Sequence, residues 1–577
     1  MTRPLAHGFG STMEPRRALV DRLQAGRHPD IVIVGGGCNG AGLFRDLALQ
    51  GVASLLVEKG DFSSGTSAAP TRLAHGGLKY LETGEISLVR ESTEERNLLL
   101  FNAPHQVRPL PIWVPLRSWL GGALLAPLRF GRLTKRPGPK GYLAVKAGLT
   151  VYDRFGNIHR TLPRHRVLSR AAALQIVHQL NPNIRAVAQY HDSLMTQPER
   201  LVMEMIGDGE RDCQEAMAIP YFEAMGCKDG VLELRDTITG NVATVAPRLV
   251  INMAGAWADE VQAALGFTGR MVGGTKGSHV VVRNQELADA LDGRMLYFEA
   301  DDFRACIVLH LGGDRLFLGA TDLRCDDPED KCCSDEEIDY ILDVTKTVVP
   351  DVALSRDDIV YAVAGVRPLP RTEGVEPGLI SRDHKLHEFP VTEGRPFPVL
   401  TLIGGKWTTY RACAEQVTDA VLRHLGAPRL ASTRTVAIGG GRDFPRSDDA
   451  QAAWARDCSA ETGVTVERAA ALAWRYGSTA KAIAEAETAA GSEPAFAGYS
   501  AAEIAWIVEN ERVTRLEDIV KRRTLLAFEG RITRDLLEAI ADVVTPLLRW
   551  DPARRMVEVS ATAKVLTERH RMKLEAQ

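Results

Sequence analysis

The residues whose types and spacing could do chemistry begin with Gly35, Gly37 and Gly40, a G-x-G-x-x-G set directly behind the apolar run Ile31-Val32-Ile33-Val34. Gly35 permits a tight turn, Gly37 brings the backbone close without a Cβ, and Gly40 lets the next helix sit near the sheet. The N-terminus of that helix, with Asn39 in its first turn, then faces an anion, and a pyrophosphate is the expected one. Eighteen residues after Gly40, the run Val52 to Val57 ends on Glu58, an acid placed to accept hydrogen bonds from a ribose. A glycine-rich turn in a plain βαβ unit is the alternative; strand, glycines, helix, Gly51, second strand and terminal acid in order favour a dinucleotide half-site. No second G-x-G-x-x-G follows a strand, and Gly439-Gly440-Gly441 lacks the third glycine. One dinucleotide therefore has to be both bound and redox-active, which favours a tightly held FAD over an exchanging nicotinamide.

The elements that position these groups follow from length and pattern. A chain of 577 residues is too long for one core and implies two or three domains. With 45% apolar and 25% charged residues its usage is that of a globular protein, and a net charge of −4 gives no reason to expect nucleic acid. Nine cysteines without C-x-x-C or paired zinc spacing point to a reducing compartment and no metal. Cys332 and Cys333 are read as surface or core thiols. No run of about 18 apolar residues is present to span a bilayer. The first 28 residues lack the apolar stretch of a secretory signal and are expected to form a flexible extension, with Met13 an alternative start.

Gly84 to Asn102 has the pattern of a helix. Arg248 to Asn252 reads as a strand that runs into Met253-Ala254-Gly255-Ala256-Trp257, a small-residue turn suited to lie against a nucleotide. Short β-rich runs at 279–282, 305–309 and 316–318 suggest an antiparallel substrate-side sheet. Leu400 to Ile403 leads into Gly404-Gly405-Lys406 and a helix from near Thr408, and alanine-rich segments at 449–488 and 500–550 read as a separate helical domain. The predicted fold is α/β: a Rossmann-type FAD-binding domain, an antiparallel β substrate domain and a C-terminal helical domain. Residues 29–440 form the oxidoreductase region, with cofactor parts near 29–105, 160–265 and 370–430 and substrate or cap parts near 106–159 and 266–369; the helical domain takes 441–577. From Arg96 through Tyr152 there is no acidic residue but nine Arg and Lys, Arg96 included, interleaved with Trp113, Trp119 and leucines. Such a segment either lies on an anionic membrane surface or forms a basic domain edge.

Three motifs then carry a family resemblance: Thr71-Arg72-Leu73-Ala74-His75-Gly76-Gly77-Leu78-Lys79-Tyr80, Ala364-Gly365-Val366-Arg367-Pro368-Leu369 and Gly404-Gly405-Lys406-Trp407-Thr408-Thr409-Tyr410-Arg411. Together with Lys276-Gly277-Ser278-His279, Gly319-Ala320-Thr321-Asp322, Ser381-Arg382-Asp383 and Arg522-Arg523-Thr524, they resemble the FAD-dependent, quinone-linked glycerol-3-phosphate dehydrogenases, in order over roughly residues 30–550. The resemblance implies a D-amino-acid-oxidase-like fold and peripheral association with the inner face of a bacterial cell membrane. It also implies electron flow from a polyol phosphate through FAD to quinone. It places Arg367, Arg382 and Lys406 around a substrate phosphate, and a guanidinium fork on a segment stiffened by Pro368 suits a dianion. Thr66, Ser67, His75, Gly76, Gly77, Ala254, Gly255, Gly404, Gly405 and Thr408 are assigned to the cofactor. Hydride removal from a secondary alcohol also needs a base for the hydroxyl proton. His279 is the first candidate and His75 the second, with Lys79 and Lys406 as further alternatives.

The chain departs from the family pattern at Lys79, where arginine is usual, at Ala68-Ala69-Pro70, where serines are usual, and at Phe44, where the first helix usually carries a small residue. The segment Trp113 to Tyr142 is also longer than usual. These departures keep a longer polyol phosphate, such as a tetritol phosphate, open beside glycerol 3-phosphate. A hydrogen-peroxide-forming oxidase and a non-catalytic FAD-binding regulator are further alternatives. The expected partners are the substrate, a quinone and an anionic membrane surface, with a homodimer admitted and nucleic acid excluded.

Overall fold

The protein is described here from a computed structural model covering residues 13–78, 85–121, 141–155, 162–302, 304–375, 378 and 380–575. In chain order, the strands that build its two large sheets include β1 (Ile31–Val34), β2 (Leu55–Glu58), β3 (Val107–Leu116), β4 (Ala186–Met195), β5 (Met217–Pro220), β6 (Leu249–Asn252) and β7 (Thr275–Arg283). They continue with β8 (Met295–Glu299), β9 (Ala305–Gly312), β10 (Arg315–Gly319), β11 (Ile359–Arg367), β12 (Lys385–Phe389) and β13 (Val399–Ile403).

Apolar runs such as IVIV in β1 and the LVI of β6 belong to strands covered on both faces, and both strands are wholly buried. They form a six-stranded sheet in the order β12-β13-β6-β1-β2-β5, parallel throughout except for the antiparallel pair β12/β13. The helix Cys38–Leu49 connects β1 to β2 and packs on the helices Pro198–Asp212 and Tyr410–Leu425. Phe44, the unusual large residue on its inner face, is fully buried because Gly209 on the helix Pro198–Asp212 leaves it room: a Cβ at Gly209 would lie 2.6 Å from the Phe44 ring. The opposite face of this sheet corrects the expected flexible extension. Residues 16–24 form a helix whose Leu19 and Leu23 join Val32, Leu55 and Phe222 in a common core. Two leucines four apart make a buried stripe that the Arg- and Gly-rich surroundings conceal.

The second sheet has ten strands, with the run β7-β10-β9-β8-β3-β4 at its centre and β11 paired along the other edge of β7. Strand alternation sends Val280 and Val282 into one core and Val281 into another. Strand β4, expected on the cofactor side within 160–265, belongs to this sheet, paired with β3 over its full length from Val107↔Met195 to Leu116↔Ala186. Its local pattern is that of any half-buried strand, so only the long-range pairing decides which sheet takes it.

Beyond residue 441 the helices Asp448–Thr462, Val466–Tyr476, Ala480–Ala490, Ala501–Asn510, Arg534–Leu548 and Pro552–Lys564 form the C-terminal domain. Ser447, Thr465, Ser500, Thr533 and Asp551 each accept a backbone N–H at the helix start they cap. The domain docks through Phe528, which meets Phe317 and Tyr361 of the antiparallel sheet edge to face. It also docks through a buried ion cluster in which Arg523 grips Asp61, just beyond β2, with two 2.8 Å hydrogen bonds. No helix of the described residues is long and apolar enough to cross a membrane. Residues 122–140, with five of the nine Arg and Lys of the basic segment, lie outside the described residues, as does Lys79.

Candidate functional site

A cleft of about 550 Å³ runs along the carboxyl ends of β1, β2 and β6 to the turn after β13, the position where open α/β sheets bind ligands. Its walls include Gly35, Gly37, Asn39, Glu58, Thr66, Ser67, Ala254, Gly255, Gly404, Gly405 and Lys406. The glycines are sterically required. A Cβ at Gly35 would lie 2.7 Å from the Met253 carbonyl carbon, at Gly37 2.9 Å from Ser67 Oγ, and at Gly40 1.9 Å from the Gly35 carbonyl oxygen. Gly40 therefore backs the turn and does not line the cleft. Glu58 Oε2 accepts from Gly36 N–H at 2.8 Å and Oε1 from Gly60 N–H at 2.9 Å, so the carboxylate is held at the cleft wall. Asn39 Oδ1 is buried with no hydrogen-bond partner, an acceptor that a ligand in the cleft can satisfy.

At one end of the cleft, Gly404 and Gly405 take φ of 86° and 96°, and a Cβ at Gly404 would strike the Asp383 carbonyl at 2.3 Å. This turn aims Lys406 toward the Ser92 hydroxyl. Burial, opposed by the Glu91 carboxylate and aided by the Arg382 cation, brings the Lys406 ammonium down to about 8. Arg367, at the end of β11, donates to Asp322 Oδ1 at 2.9 Å, and the second Asp322 oxygen lies 3.6 Å from Arg382. One carboxylate thus holds two guanidinium groups side by side, each partly open to solvent. The register Thr275↔Arg367 and His279↔Val363 puts Arg367, Gly277 and His279 on one face of the sheet. Arg367 lies across Gly277, where a Cβ would fall 2.0 Å from its Nη2.

His279 is 1% exposed, stacks on Phe317 at 4.7 Å, and leaves both ring nitrogens without a hydrogen-bond partner. Burial and then the Arg367 cation push it down to about 3. His75 is also pushed down to about 3, by burial first and then by Lys406, Arg382 and Arg96. These influences tie His75, Lys406, Arg382, Asp322, Arg367 and His279 into one cationic cluster around two uncharged imidazoles.

The turn at 75–77 does not line the cleft as expected. Gly76 N–H donates to Tyr152 Oη and Asp192 Oδ1, each at 3.0 Å, and His75 N–H donates to Thr408 Oγ1 at 3.1 Å. Gly76 and Thr408 therefore serve to hold this turn in place, and Gly77 is needed for its φ of 75°. Asp192, which also takes Arg96 at 2.7 Å and Tyr152 at 2.6 Å, went unnoticed in the sequence because it lies on a strand with no motif around it. The same holds for Phe222 to Met225, which close the Glu58 end of the cleft. Asp322 stood within a noticed motif, but its partners come from segments 45 and 60 residues away.

With this geometry in hand, residues 30–411 match the family model described as FAD dependent oxidoreductase, and residues 431–555 match the C-terminal domain of alpha-glycerophosphate oxidase. The chain belongs to the FAD dependent oxidoreductase family. Among its relatives within that family, a glycerol-3-phosphate dehydrogenase of Synechocystis sp. is 37% identical over 442 residues, 72% of this chain and 74% of the relative. Glycerol-3-phosphate dehydrogenase 2 of Mycobacterium tuberculosis is 30% identical, spanning 91% of this chain and 86% of its own. The solved glycerol-3-phosphate dehydrogenase of Bacillus halodurans, complexed with FAD, shares the fold at a TM-score of 0.71 and 21% identity, covering 96% of this chain and 97% of that one. As an FAD dependent oxidoreductase, the chain uses FAD, and the glycine turn, the held Glu58 and the open Asn39 Oδ1 of the cleft fit that cofactor.

Proposed function

We propose that the protein oxidises sn-glycerol 3-phosphate to dihydroxyacetone phosphate and passes the electrons to a quinone at an anionic membrane surface. The observation that carries this reading is the pair of guanidinium groups on Asp322, with Lys406 beside them, at the end of a dinucleotide cleft. Bound FAD supplies the acceptor for the hydride of the carbinol carbon. Arg367 and Arg382 hold the phosphate by charge-assisted hydrogen bonds, and Lys406 adds a point charge. His279 takes the hydroxyl proton on a ring nitrogen, with His75 the second candidate. Burial is the larger cause of the low proton affinity of both histidines, and a phosphate dianion on Arg367 and Arg382 offsets the part that those cations add. The curated relatives named above carry the same activity in their names, which supports the substrate assignment. The test is flavin bleaching by stopped flow across phosphorylated polyols. A tetritol phosphate that outperforms glycerol 3-phosphate more than about tenfold in kcat/KM, or no bleaching with either, rejects the assignment. Quinone reduction in place of oxygen consumption tests the acceptor.

The pH profile separates two roles for Lys406. As a phosphate-holding cation it works only when protonated, so kcat/KM falls as pH rises through about 8. The acid limb comes from the substrate phosphate, whose second ionisation lies near 6. In Lys406→Arg the alkaline limb moves well above pH 8, because a guanidinium keeps its charge. A kcat/KM that instead climbs through pH 8 makes the neutral amine the base and removes the cation role.

Gly277→Ala puts a methyl where the Arg367 guanidinium lies while leaving an ordinary strand backbone. The expected result is a full complement of FAD by absorbance and a kcat/KM roughly tenfold or more below the parent. Parent-like kinetics in this variant shows that Arg367 adjusts freely and that its resting position does not matter.

A further inference from the structure

A second cavity, of about 200 Å³, lies where the segment after β2 and the strand β11 meet the C-terminal domain. At about 30 Å³ for each water of liquid, it holds several waters or one small anion with hydration. Six cations line it: Arg72, Lys331, Arg515, Lys521, Arg522 and Arg569. Against them stand the acids Asp61, Glu199 and Glu517. Three of the cations are committed, Arg72 to Glu199 at 3.1 Å, Arg522 to Asp61 and Asp518, and Lys331 to Glu329 at 3.3 Å. Lys521 shares the single carboxylate of Glu517 with Arg522. Arg515 lies over the Tyr221 ring, and its buried Nε has no hydrogen-bond partner. Positive charge is therefore in excess along the wall of this cavity. Burial lowers the proton affinity of both Lys331 and Lys521 despite the carboxylates of Glu329 and Glu517, and Arg569 adds to that lowering in each.

His570 identifies the kind of anion. It lines this cavity, is 5% exposed, and stacks on Tyr361 at 4.6 Å. Its Nδ1 lies 2.8 Å from the Ala362 carbonyl oxygen, which can only accept, so Nδ1 carries the proton and Nε2 holds a lone pair. Nε2 is buried and has no partner. Burial, then Lys521 and Arg569, keep the ring uncharged at neutral pH. A ligand suited to this cavity presents acceptor oxygens to several cations and one O–H to an imidazole lone pair. Monohydrogen phosphate does both. Sulfate has no O–H, and neither has the dianion of a phosphate monoester.

We propose that this cavity is a binding site for inorganic phosphate, held by Lys331, Lys521 and Arg569 with its hydroxyl on His570, which links the C-terminal domain to Lys331 of the substrate part. The site is separate from the Arg367 cluster and does not depend on the substrate assigned to that cluster. Calorimetric titration of the FAD-loaded Arg367→Ala protein at pH 7.5 and constant ionic strength, with the substrate pocket thus weakened, tests it. One phosphate is expected to bind per chain, at least tenfold more tightly than sulfate or methyl phosphate. Adding Arg569→Gln weakens phosphate at least tenfold; Lys521→Gln gives the same reading should Arg569→Gln fail to retain flavin. His570→Asn, which keeps a donor toward Ala362 but loses the Nε2 lone pair, removes the preference for phosphate over sulfate. No binding in the Arg367→Ala protein, equal affinity for the three anions, or parent-like phosphate affinity in both cation variants overturns the proposal.

Discussion

Arg367→Ala is expected to lower kcat/KM for glycerol 3-phosphate by roughly 10²-fold or more while the protein keeps its FAD. Losing one partner of a close charge pair costs about 2–5 kcal/mol, and each 1.36 kcal/mol is a factor of ten in rate. Two features place the expected loss in the upper part of that range. Arg367 offers a planar fork that matches phosphate oxygens, and its removal leaves the Asp322 carboxylate with only the longer Arg382 contact, 3.6 Å away, so that a negative charge then faces the incoming dianion. The loss should appear mainly in KM, because the phosphate is gripped before and during the reaction alike. Arg367→Lys restores part of it, keeping the charge but not the fork. Asp322→Asn in the Arg367→Ala background recovers part as well, by removing the repulsion. Steady-state dye reduction, with flavin content checked by absorbance, measures all three. An Arg367→Ala protein within twofold of the parent takes this residue out of the site and with it the main support for a phosphorylated substrate.

The second large effect is on stability. Arg523 is 1% exposed, makes two 2.8 Å hydrogen bonds to Asp61, and donates to the Glu511 carbonyl at 3.0 Å. Burial alone raises the Asp61 carboxyl, but Arg523 and Arg522 together hold it below the usual aspartate range. Arg523→Ala leaves that carboxylate buried with a single cation, and breaking a buried pair from one side costs about 3–5 kcal/mol. The expected observation is a lowered unfolding midpoint with loss of C-terminal docking, read by calorimetry and by proteolysis between residues 430 and 530. Asp61→Asn combined with Arg523→Met is expected to be less damaging than the two changes added together, because no uncompensated charge remains. The pH dependence has a definite sign. A carboxyl whose folded pKa is lowered contributes stability above its unfolded value, near 3.9, and loses it as pH falls. The gap between parent and Arg523→Ala therefore narrows as the solution is acidified below about pH 4. A gap that stays constant to lower pH assigns the effect to lost packing instead of lost charge pairing.

Much of the cofactor side was legible in the chain because its signals are local. Strand, glycine turn and helix lie within about 20 consecutive residues, and Gly40 is dictated by the Gly35 carbonyl five residues earlier, although the neighbours that exclude a Cβ at Gly35 and Gly37 are the distant Met253 and Ser67. The antiparallel runs, the helix ending at Asn102 and the alanine-rich C-terminal helices were legible for the same reason: residue pattern and helix-favouring composition are written over a few residues. The helix at 16–24 was missed because two leucines are a faint stripe until a partner surface is known. The placement of β4 was missed because pairing with β3 spans about 80 residues.

What the sequence by itself determined, then, is the βαβ cradle and the supply of cationic side chains in noticed motifs, since local sterics and residue chemistry suffice for both. Only the tertiary structure decided that Asp322 joins Arg367 to Arg382, that Gly277 makes room for Arg367, that the 75–77 turn is clasped by Asp192 and not laid in the cleft, and that Asp61 anchors a domain more than 400 residues downstream. Charges act through a few ångströms of space regardless of the length of chain between them. Their partners are therefore set by which strands and helices come together, and the linear order of residues does not record that.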